Sequence, residues 1–570
     1  MTTKPTGESK VEKAKRASHQ LRGTVAETLA GPATHFGGDD ATLLKFHGTY
    51  QQDDRDHRKG RGDDEEKAWS FMIRIALPAG ELTADQYLAL DDLATTHADG
   101  SLRVTTRQGF QFHGVLKGDL KSAIATMNAS LVTTLAACGD VQRNVMGCPA
   151  PLADPAHRAV RRTARALAEA LRPATRAYHE IWLDGERVDT PEVEEPFYGT
   201  QYLPRKFKSA VGLPEDNCVD IYAQDVGLLA VLDGTTVRGF NVLVGGGLGM
   251  TYGKGDTIAR LAEPLGFVRE GDGVEAVRIV GAIFRDHGNR ADRRHARLKY
   301  LLQEWGIGRF REEFRRRAPF PLEAAAVVPA PVFHDHLGAH RMDDGRWFYG
   351  IFIQSGRIRD TTGAPLRTLL REVVESLRPG VVLTGQQNLL LTGLDDAGVA
   401  ELERRLKAHG VARAEELSAS RRFSMACPAL PTCGLAVAES ERLLPSVVGE
   451  VEAELAGLGV GQIPITIRMT GCPNGCARPY TADIAFVGRS LGLYQIYVGG
   501  GLQGDRVADL YQADVRTEDL LPTLRPLLAR WAAERVGEEP LGDFYQRITG
   551  SRSPRQMITG RELPVLVPTS

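Results

Sequence analysis

The sequence predicts a mixed α+β and α/β protein, internally duplicated with pseudo-twofold symmetry. Each half is expected to hold a small α+β unit followed by a larger α/β unit. Two repeated segment pairs in the same order predict this, together with helical patterns that flank the first pair. At 570 residues the chain also exceeds one ordinary core, so several packed units are expected.

The first pair is "LRVTTRQGFQFHG" (Leu102 to Gly114) and "VVLTGQQNLLLTG" (Val381 to Gly393). Thr105 aligns with Thr384, Gln108 with Gln387, Phe110 with Leu389, Phe112 with Leu391, and Gly114 with Gly393. Each reads as strand, turn and strand, with apolar alternation in the second strand. The segment "LTADQYLALDDLA" places Thr83 and Gln86 as a helix capping box, and "PLRTLLREVVESL" stops before Pro379 and Gly380. The second pair is "GFNVLVGGGLG" (Gly239 to Gly249) and "LYQIYVGGGLQG" (Leu493 to Gly504), each an apolar β-rich run entering three glycines. Between the halves lies the proline-rich connector "VVPAPVFHD" (Val327 to Asp335). In the first half "PAHRAVRRTARALAEALRP", capped by Asp154, turns Val160, Ala164, Leu167 and Leu171 to one face.

Lys plus Arg total 70 against 72 Asp plus Glu, a near-balance that excludes a general nucleic-acid binder. There is no apolar run of membrane-spanning length and no signal-peptide core near Met1, so a cytoplasmic protein without a membrane partner is expected. The polar start, Met1 to Gln20, reads as a mobile arm.

Of seven cysteines, Cys427, Cys433, Cys472 and Cys476 crowd between residues 427 and 476. An odd count in a reducing compartment argues against a disulfide framework. Four thiolates can hold zinc or an iron–sulfur cluster. Five residues separate the first two and three the last two, with Pro428, Pro431 and Pro473 stiffening the loops. Zinc knuckles pair cysteines two residues apart, so this wider pattern favours a cubane. A zinc-stabilised binding protein is the alternative from another class. Cys148, in "MGCPAP", reads as a small buried residue near the site, with a catalytic cysteine as the other possibility. The glycine runs do not fit a dinucleotide-binding loop, and no flavin or NADPH motif is present.

"ACPALPTCGLAVAESER" and "TGCPNGCARPY" resemble the cluster-binding blocks of the siroheme-dependent sulfite and nitrite reductase family. "FHGTYQQDDRD", "TTRQGFQFHG", "RNVMGC", "GTQYLPRKFK" and "GNRADRRHARLKY" are similar to its other blocks, in matching order from about Leu43 to Gly542. Within the family the likeness is to the assimilatory sulfite reductase hemoproteins, the beta component. The resemblance implies ferredoxin-like half-domains at 65–135 and 336–412 and siroheme-binding units at 136–326 and 420–548, the latter also holding [4Fe-4S]. Residues 1–64 would form an arm and wrapping segment.

It further implies that Cys427, Cys433, Cys472 and Cys476 bind the cluster and that Cys476 also bridges to the siroheme iron. Arg74, Arg143, Lys206 and Lys208 would surround the substrate. Arg103, Arg107, Gln111, His113, Arg297, Lys299 and Asn474 would hold the macrocycle or approach it closely. Lys206 and Lys208 alternate with Phe207, which on an extended strand puts both ammonium groups on one side. The implied activity is the six-electron reduction of sulfite to hydrogen sulfide in sulfate assimilation and cysteine biosynthesis. The chain lacks its own NADPH site, so electrons would come from an NADPH-dependent FAD- and FMN-containing flavoprotein or from ferredoxin. Docking is expected near Lys10 to Thr28. Nitrite reductase is the nearest rival, disfavoured because its members typically lack the second lysine of the Lys-x-Lys pair. Dissimilatory sulfite reductases resemble single halves of such a chain.

Overall fold

The two hairpins of the first repeated pair have matching turn chemistry. Strand Leu102–Val104 pairs antiparallel with Phe110–Val115, and Gly380–Leu383 with Leu389–Leu394. In the first turn Thr105 Oγ1 accepts the N–H groups of Arg107 (3.3 Å) and Gly109 (3.2 Å). In the second, Thr384 Oγ1 accepts those of Gln386 (3.2 Å) and Asn388 (3.0 Å). Gln108 and Gln387 both take positive φ, 52° and 67°. The structure, a computed structural model, describes residues 7–58, 67–175, 181–183, 186–188, 195–550 and 557–559.

Each hairpin sits in a five-stranded antiparallel sheet. The first runs Thr49–Asp53, Trp69–Arg74, Phe110–Val115, Leu102–Val104, Arg357–Ile358. The second runs Gly338–Arg341, Trp347–Ile351, Leu389–Leu394, Gly380–Leu383, Glu81–Leu82. Each sheet therefore takes its last strand from the other half of the chain. One apolar core, with Tyr87, Val104 and Phe112 beside Val373, Leu389 and Leu391, serves both sheets. The small units are interlocked by this exchange. The expected helices form: Ala84–His97 carries the complete Thr83–Gln86 capping box, and Leu366–Leu377 ends before Pro379.

The larger units repeat one another in the same way. Each has a parallel strand pair, Ser209–Gly212 with Val226–Asp233 and Ile467–Thr470 with Ile484–Ser490. Each then continues as an antiparallel meander through Thr236–Val244 and Glu263–Arg269, or Leu493–Val498 and Asp509–Arg516. Helix Pro155–Ala170, capped by Asp154 through the His157 N–H at 2.9 Å, buries Val160, Ala164 and Leu167 against the first sheet. Helices Leu444–Gly457 and Leu520–Glu534 cover the second. Between the parallel strands each unit inserts a left-handed residue and a single 3-10 turn. These are Asp220 (φ 46°) before Ile221–Ala223 and Arg478 (φ 53°) before Pro479–Thr481. Asp220 and Arg478 are thus equivalent positions of the duplication, and they form an ion pair with each other.

The mobile arm expected at the start is corrected for residues 7–20. Ser9 caps helix Lys10–Ala17, which buries Glu12 and Lys15. Lys15 Nζ donates to Leu203 O (2.8 Å) and lies 2.5 Å from Glu12 and 3.5 Å from Asp140, while Arg290 reaches Glu12 at 2.5 Å. A polar helix packs here because the body supplies a partner for each buried charge. The connector Val327–Asp335 has no regular structure, but Val332 exchanges backbone hydrogen bonds with Pro214 and Asn217. Among the described residues no helix is long and apolar enough to cross a membrane.

Gly80 (φ 82°) and Gly356 (φ 74°) stand at equivalent corners leading into the exchanged strands. A Cβ at Gly80 would collide with Leu383 O, and one at Gly356 with Val104 O. Gly80→Ala and Gly356→Ala should each lower the unfolding free energy by about 2–4 kcal/mol in denaturant titration. Gly234→Ala, at positive φ but with open space around it, should cost only about 1 kcal/mol.

Candidate active site

Cys427 directly follows the short strand Ser424–Ala426, and Cys472 follows strand Ile467–Thr470, which runs parallel beside that strand. Gly471 N–H donates to Cys427 Sγ at 3.4 Å, and Asn474 Nδ2 to Cys472 Sγ at 3.6 Å. Arg55 holds the intervening loop from outside, donating to Cys433 O (3.3 Å) and Ala436 O. Burial raises the thiol pKa of Cys427 and Cys433, and pushes that of Cys472 up to about 12; the Cys476 sulfur is the next cause at all three. Cys476 therefore lies within electrostatic reach of the other three sulfurs. Only a strongly cationic centre would hold such thiols as thiolates. Among the described residues no three of these sulfurs fall within 4.8 Å of one another. A tetrahedral zinc would need separations of about 3.8 Å, so the set is too open for one ion and fits a cubane.

Cys476 is the exposed member of the four, and its bend is fixed from several sides. Gly475 turns at φ 62°. Thr106 Oγ1 donates to Cys476 O at 3.0 Å, Met250 N–H to Pro473 O at 2.9 Å, and Tyr480 OH to Pro473 O at 3.1 Å. Any Cβ at Gly249 would lie 2.9 Å from Asn474 O, so the first-half glycine run abuts this bend. Two residues on, Arg478 pairs with Asp220 and donates to Thr106 O (3.0 Å) and Gly385 O (2.8 Å). One turn is thereby tied to both hairpins and to the opposite large unit.

Facing Cys476 is a crowd of cations. Phe207 is buried, stacked on Phe284 at 6.0 Å, while Lys206 and Lys208 on either side of it stay partly accessible. The expected alternation is realised just before strand Ser209–Gly212. Burial, and then Arg297, Arg205 and Arg143, bring Lys206 down to about 7. Burial and Lys206, Arg107 and Arg297 depress Lys208 well below its usual value. The Cys476 sulfur acts the other way on both. Arg143 Nε donates to Gly139 O at 2.9 Å. Arg74 Nη1 donates to Cys138 Sγ at 3.0 Å, and its buried Nε has no hydrogen-bond partner. Among the described residues Lys206 and Lys208 have no carboxylate partner, which is costly for cations at a cleft, and this set fits a polycarboxylate macrocycle together with a small oxyanion.

The remaining candidates are tied into the protein itself. Arg103 pairs with Glu441 (3.0 Å), donates to Ala426 O, and bonds Gln111, whose amide reaches Met72 Sδ. Arg107 donates to Asn144 O, Ser209 O and Gln224 Oε1. Arg297 pairs with Asp225 at 2.6 Å. His113 meets Gln52 at 3.3 Å, with its other ring nitrogen unpartnered. Burial and then Arg357, Arg103 and Arg74 hold it neutral, well below the usual histidine pKa. Lys299 gives its three protons to Gly247 O, Gly249 O and Ile258 O, leaving none for a carboxylate. It shapes the glycine run instead. Sequence reasoning assigned no role to Arg478, Asp220 or Arg55. Arg478 stands inside a quoted cysteine block, but the contacts of all three are long-range. Cys148 meets Asp216 at 2.9 Å beside Cys218 and His336, rather than the cations facing Cys476.

Comparison with known proteins agrees with this geometry. The nitrite/sulfite reductase ferredoxin-like half-domain model matches residues 64–130 and 340–409, the interlocked small units. The nitrite and sulphite reductase 4Fe-4S domain model matches residues 163–322. The sulfite reductase [NADPH] hemoprotein beta-component of Staphylococcus haemolyticus is 44% identical over 540 residues, covering 94% of each chain. The sulfite reductase [ferredoxin] of Synechococcus elongatus is 42% identical, over 96% of this chain and 90% of its own. The solved Mycobacterium tuberculosis NirA structure superposes with a TM-score of 0.76 at 24% identity, over 95% of this chain and 97% of that one, which establishes a shared fold. The chain belongs to the nitrite and sulfite reductase family.

Proposed function

We propose that this chain is the catalytic component of an assimilatory sulfite reductase, with Cys476 joining a [4Fe-4S] cluster to siroheme. The observation that carries this reading is the meeting of a four-cysteine set and a cation cluster at one sulfur, Cys476. The names of relatives matching nearly the whole chain support sulfite as the substrate. When bound, the siroheme iron and cluster supply electrons to the sulfur atom of the substrate.

Hydrogensulfite consumes six electrons and six protons to give hydrosulfide and three waters. The protein must therefore hold an oxyanion and deliver protons to departing oxygens. Arg74 and Arg143 offer planar forks for two sulfite oxygens. Lys206 and Lys208, on one side of an extended segment, bind the remaining charge and donate protons. A Lys206 held near 7 before cofactor and anion bind is poised to give up a proton near neutrality. Its partial access to the cleft lets solvent reprotonate it. Arg103, Arg107, Gln111, His113 and Arg297 would hold the macrocycle. Lys299 fixes the glycine run, and Asn474 would tune the cluster through Cys472 Sγ.

Nitrite reduction is the second reading, and retention of Lys208 argues against it. The electron donor is a separate protein. NADPH-type relatives favour a flavoprotein, and a ferredoxin-type relative keeps ferredoxin as the alternative. Exposed Lys10, Lys13 and Arg16 on the first helix present a basic face suited to an acidic donor. A cytoplasmic location accords with the biosynthetic role.

Lys208→Asn should lower kcat/KM for sulfite by about tenfold or more, ~1.4 kcal/mol of transition-state binding, and reduce nitrite turnover much less. Equal losses would remove the case for sulfite. In cofactor-free protein Lys206 has a folded pKa below its unfolded value, so the unfolded chain binds more protons between pH ~7 and pH ~10. Stability should therefore rise with pH across that window and be lost as pH falls toward 7. Thermal melts of the cofactor-free form should show this rise, and Lys206→Met should make it shallower, the remainder coming from Lys208.

A further inference from the structure

Outside the cleft, Cys148, Asp216, Cys218 and His336 bring one ligand atom each to within 4.8 Å of one another, and all four are buried. Asp216 Oδ1 accepts the Cys218 N–H at 3.2 Å, which aims Oδ2 inward. There Cys148 Sγ lies at 2.9 Å and His336 Nε2 at 2.8 Å. The histidine contact lacks hydrogen-bond alignment, and Nε2 is buried with no hydrogen-bond partner. One buried carboxylate oxygen approached by a ring nitrogen at 2.8 Å and a thiol sulfur at 2.9 Å is a set of ligand atoms already converged on one point.

The duplication gives the cluster a second meaning. Met146 bridges Ala210 in parallel as Met425 pairs with Arg468, so Cys148, two residues after Met146, occupies the position of Cys427. Cys218 precedes the left-handed Asp220 by two residues, as Cys476 precedes Arg478. Two of the four cysteines in the cluster-binding half thus have cysteine counterparts in the first half. The remaining ligand types differ, and this set is far tighter than the open four-cysteine one.

We propose that Cys148, Cys218, His336 and Asp216 bind a single zinc ion, at the pseudo-twofold counterpart of the iron–sulfur site. Two thiolates, an imidazole and a carboxylate are a zinc donor set, with ligand separations of about 3.3–3.8 Å that small side-chain shifts supply here. His157, which holds Asp154 at 2.7 Å and also neighbours Cys148, lies beside this set as an outer partner. The ion pins His336, just before the second small sheet, to the loop carrying Asp216 and Cys218. Cys218 O in turn accepts Gln386 Nε2 at 3.0 Å, and the adjacent Gly385 O accepts Arg478 at 2.8 Å. Zinc would staple the two halves beside the Cys476 bend, without itself touching substrate.

The test is elemental analysis and zinc-edge X-ray absorption of the purified holoenzyme from zinc-supplemented culture. The expected result is about one zinc per chain besides the iron, in a shell of two sulfurs and two nitrogen or oxygen atoms. Cys218→Ser and His336→Gln should each lower zinc content about tenfold or more while iron per chain is kept. Wild-type protein without stoichiometric zinc would overturn the proposal, as would an all-sulfur shell, a Cys148–Cys218 disulfide found by mass spectrometry, or zinc retained by both variants. The wild-type absorption spectrum decides the matter even if a variant fails to fold.

Discussion

The ion pair between Arg478 and Asp220 is the constraint on which the site depends. Both side chains are buried, they come from equivalent turns of the two large units, and they meet where those units face each other. Removing Asp220 would strand the buried Arg478 guanidinium, and with it Arg468 at 3.6 Å, a penalty of about 3–5 kcal/mol. The pair therefore fixes the relative placement of the halves, and Cys476, two residues away, inherits that placement. The arginine fork adds Thr106 and Gly385, one from each hairpin turn, so both hairpins reach this point.

Duplication with divergence explains how a nearly symmetric scaffold carries an asymmetric site. One copy of the large-unit turn carries Cys472, Cys476 and Arg478; the other carries Cys218 and Asp220 and leads to Asp225, whose carboxylate accepts the Lys208 N–H. The exchanged edge strands keep the halves from drifting apart, because neither small sheet is complete without the other. Electrostatics then does the selecting. A cleft whose lysines are depressed by burial and then by their cationic neighbours gains most from a ligand that brings many negative charges, and next from a compact oxyanion. The overall charge of −2 hides this local excess, which is set by packing rather than composition.

Local chemistry made much of this legible in the sequence. Turn threonines and glutamines, the Thr83–Gln86 capping box, the Asp154 cap and the paired glycine runs act over a few residues, so their pattern survives in the text of the chain. The four clustered cysteines and the Lys206–Phe207–Lys208 alternation were readable for the same reason. The exchanged strands were not, because two residues each, Glu81–Leu82 and Arg357–Ile358, carry no periodicity. The packing of helix Lys10–Ala17 was hidden because its buried charges find partners as distant as Asp140 and Arg290. Lys299 looked like a carboxylate binder in a basic run, yet three backbone carbonyls of a distant loop consume its protons. The Cys148, Cys218 and His336 grouping spans two wide gaps that no spacing rule joins.

Mössbauer spectroscopy of the purified, iron-enriched protein tests the central claim most directly. A thiolate shared at Cys476 predicts that the siroheme iron and the cubane irons behave as one magnetically coupled system at about five irons per chain. Two independent iron signals, or siroheme iron with no cluster signal, would contradict it.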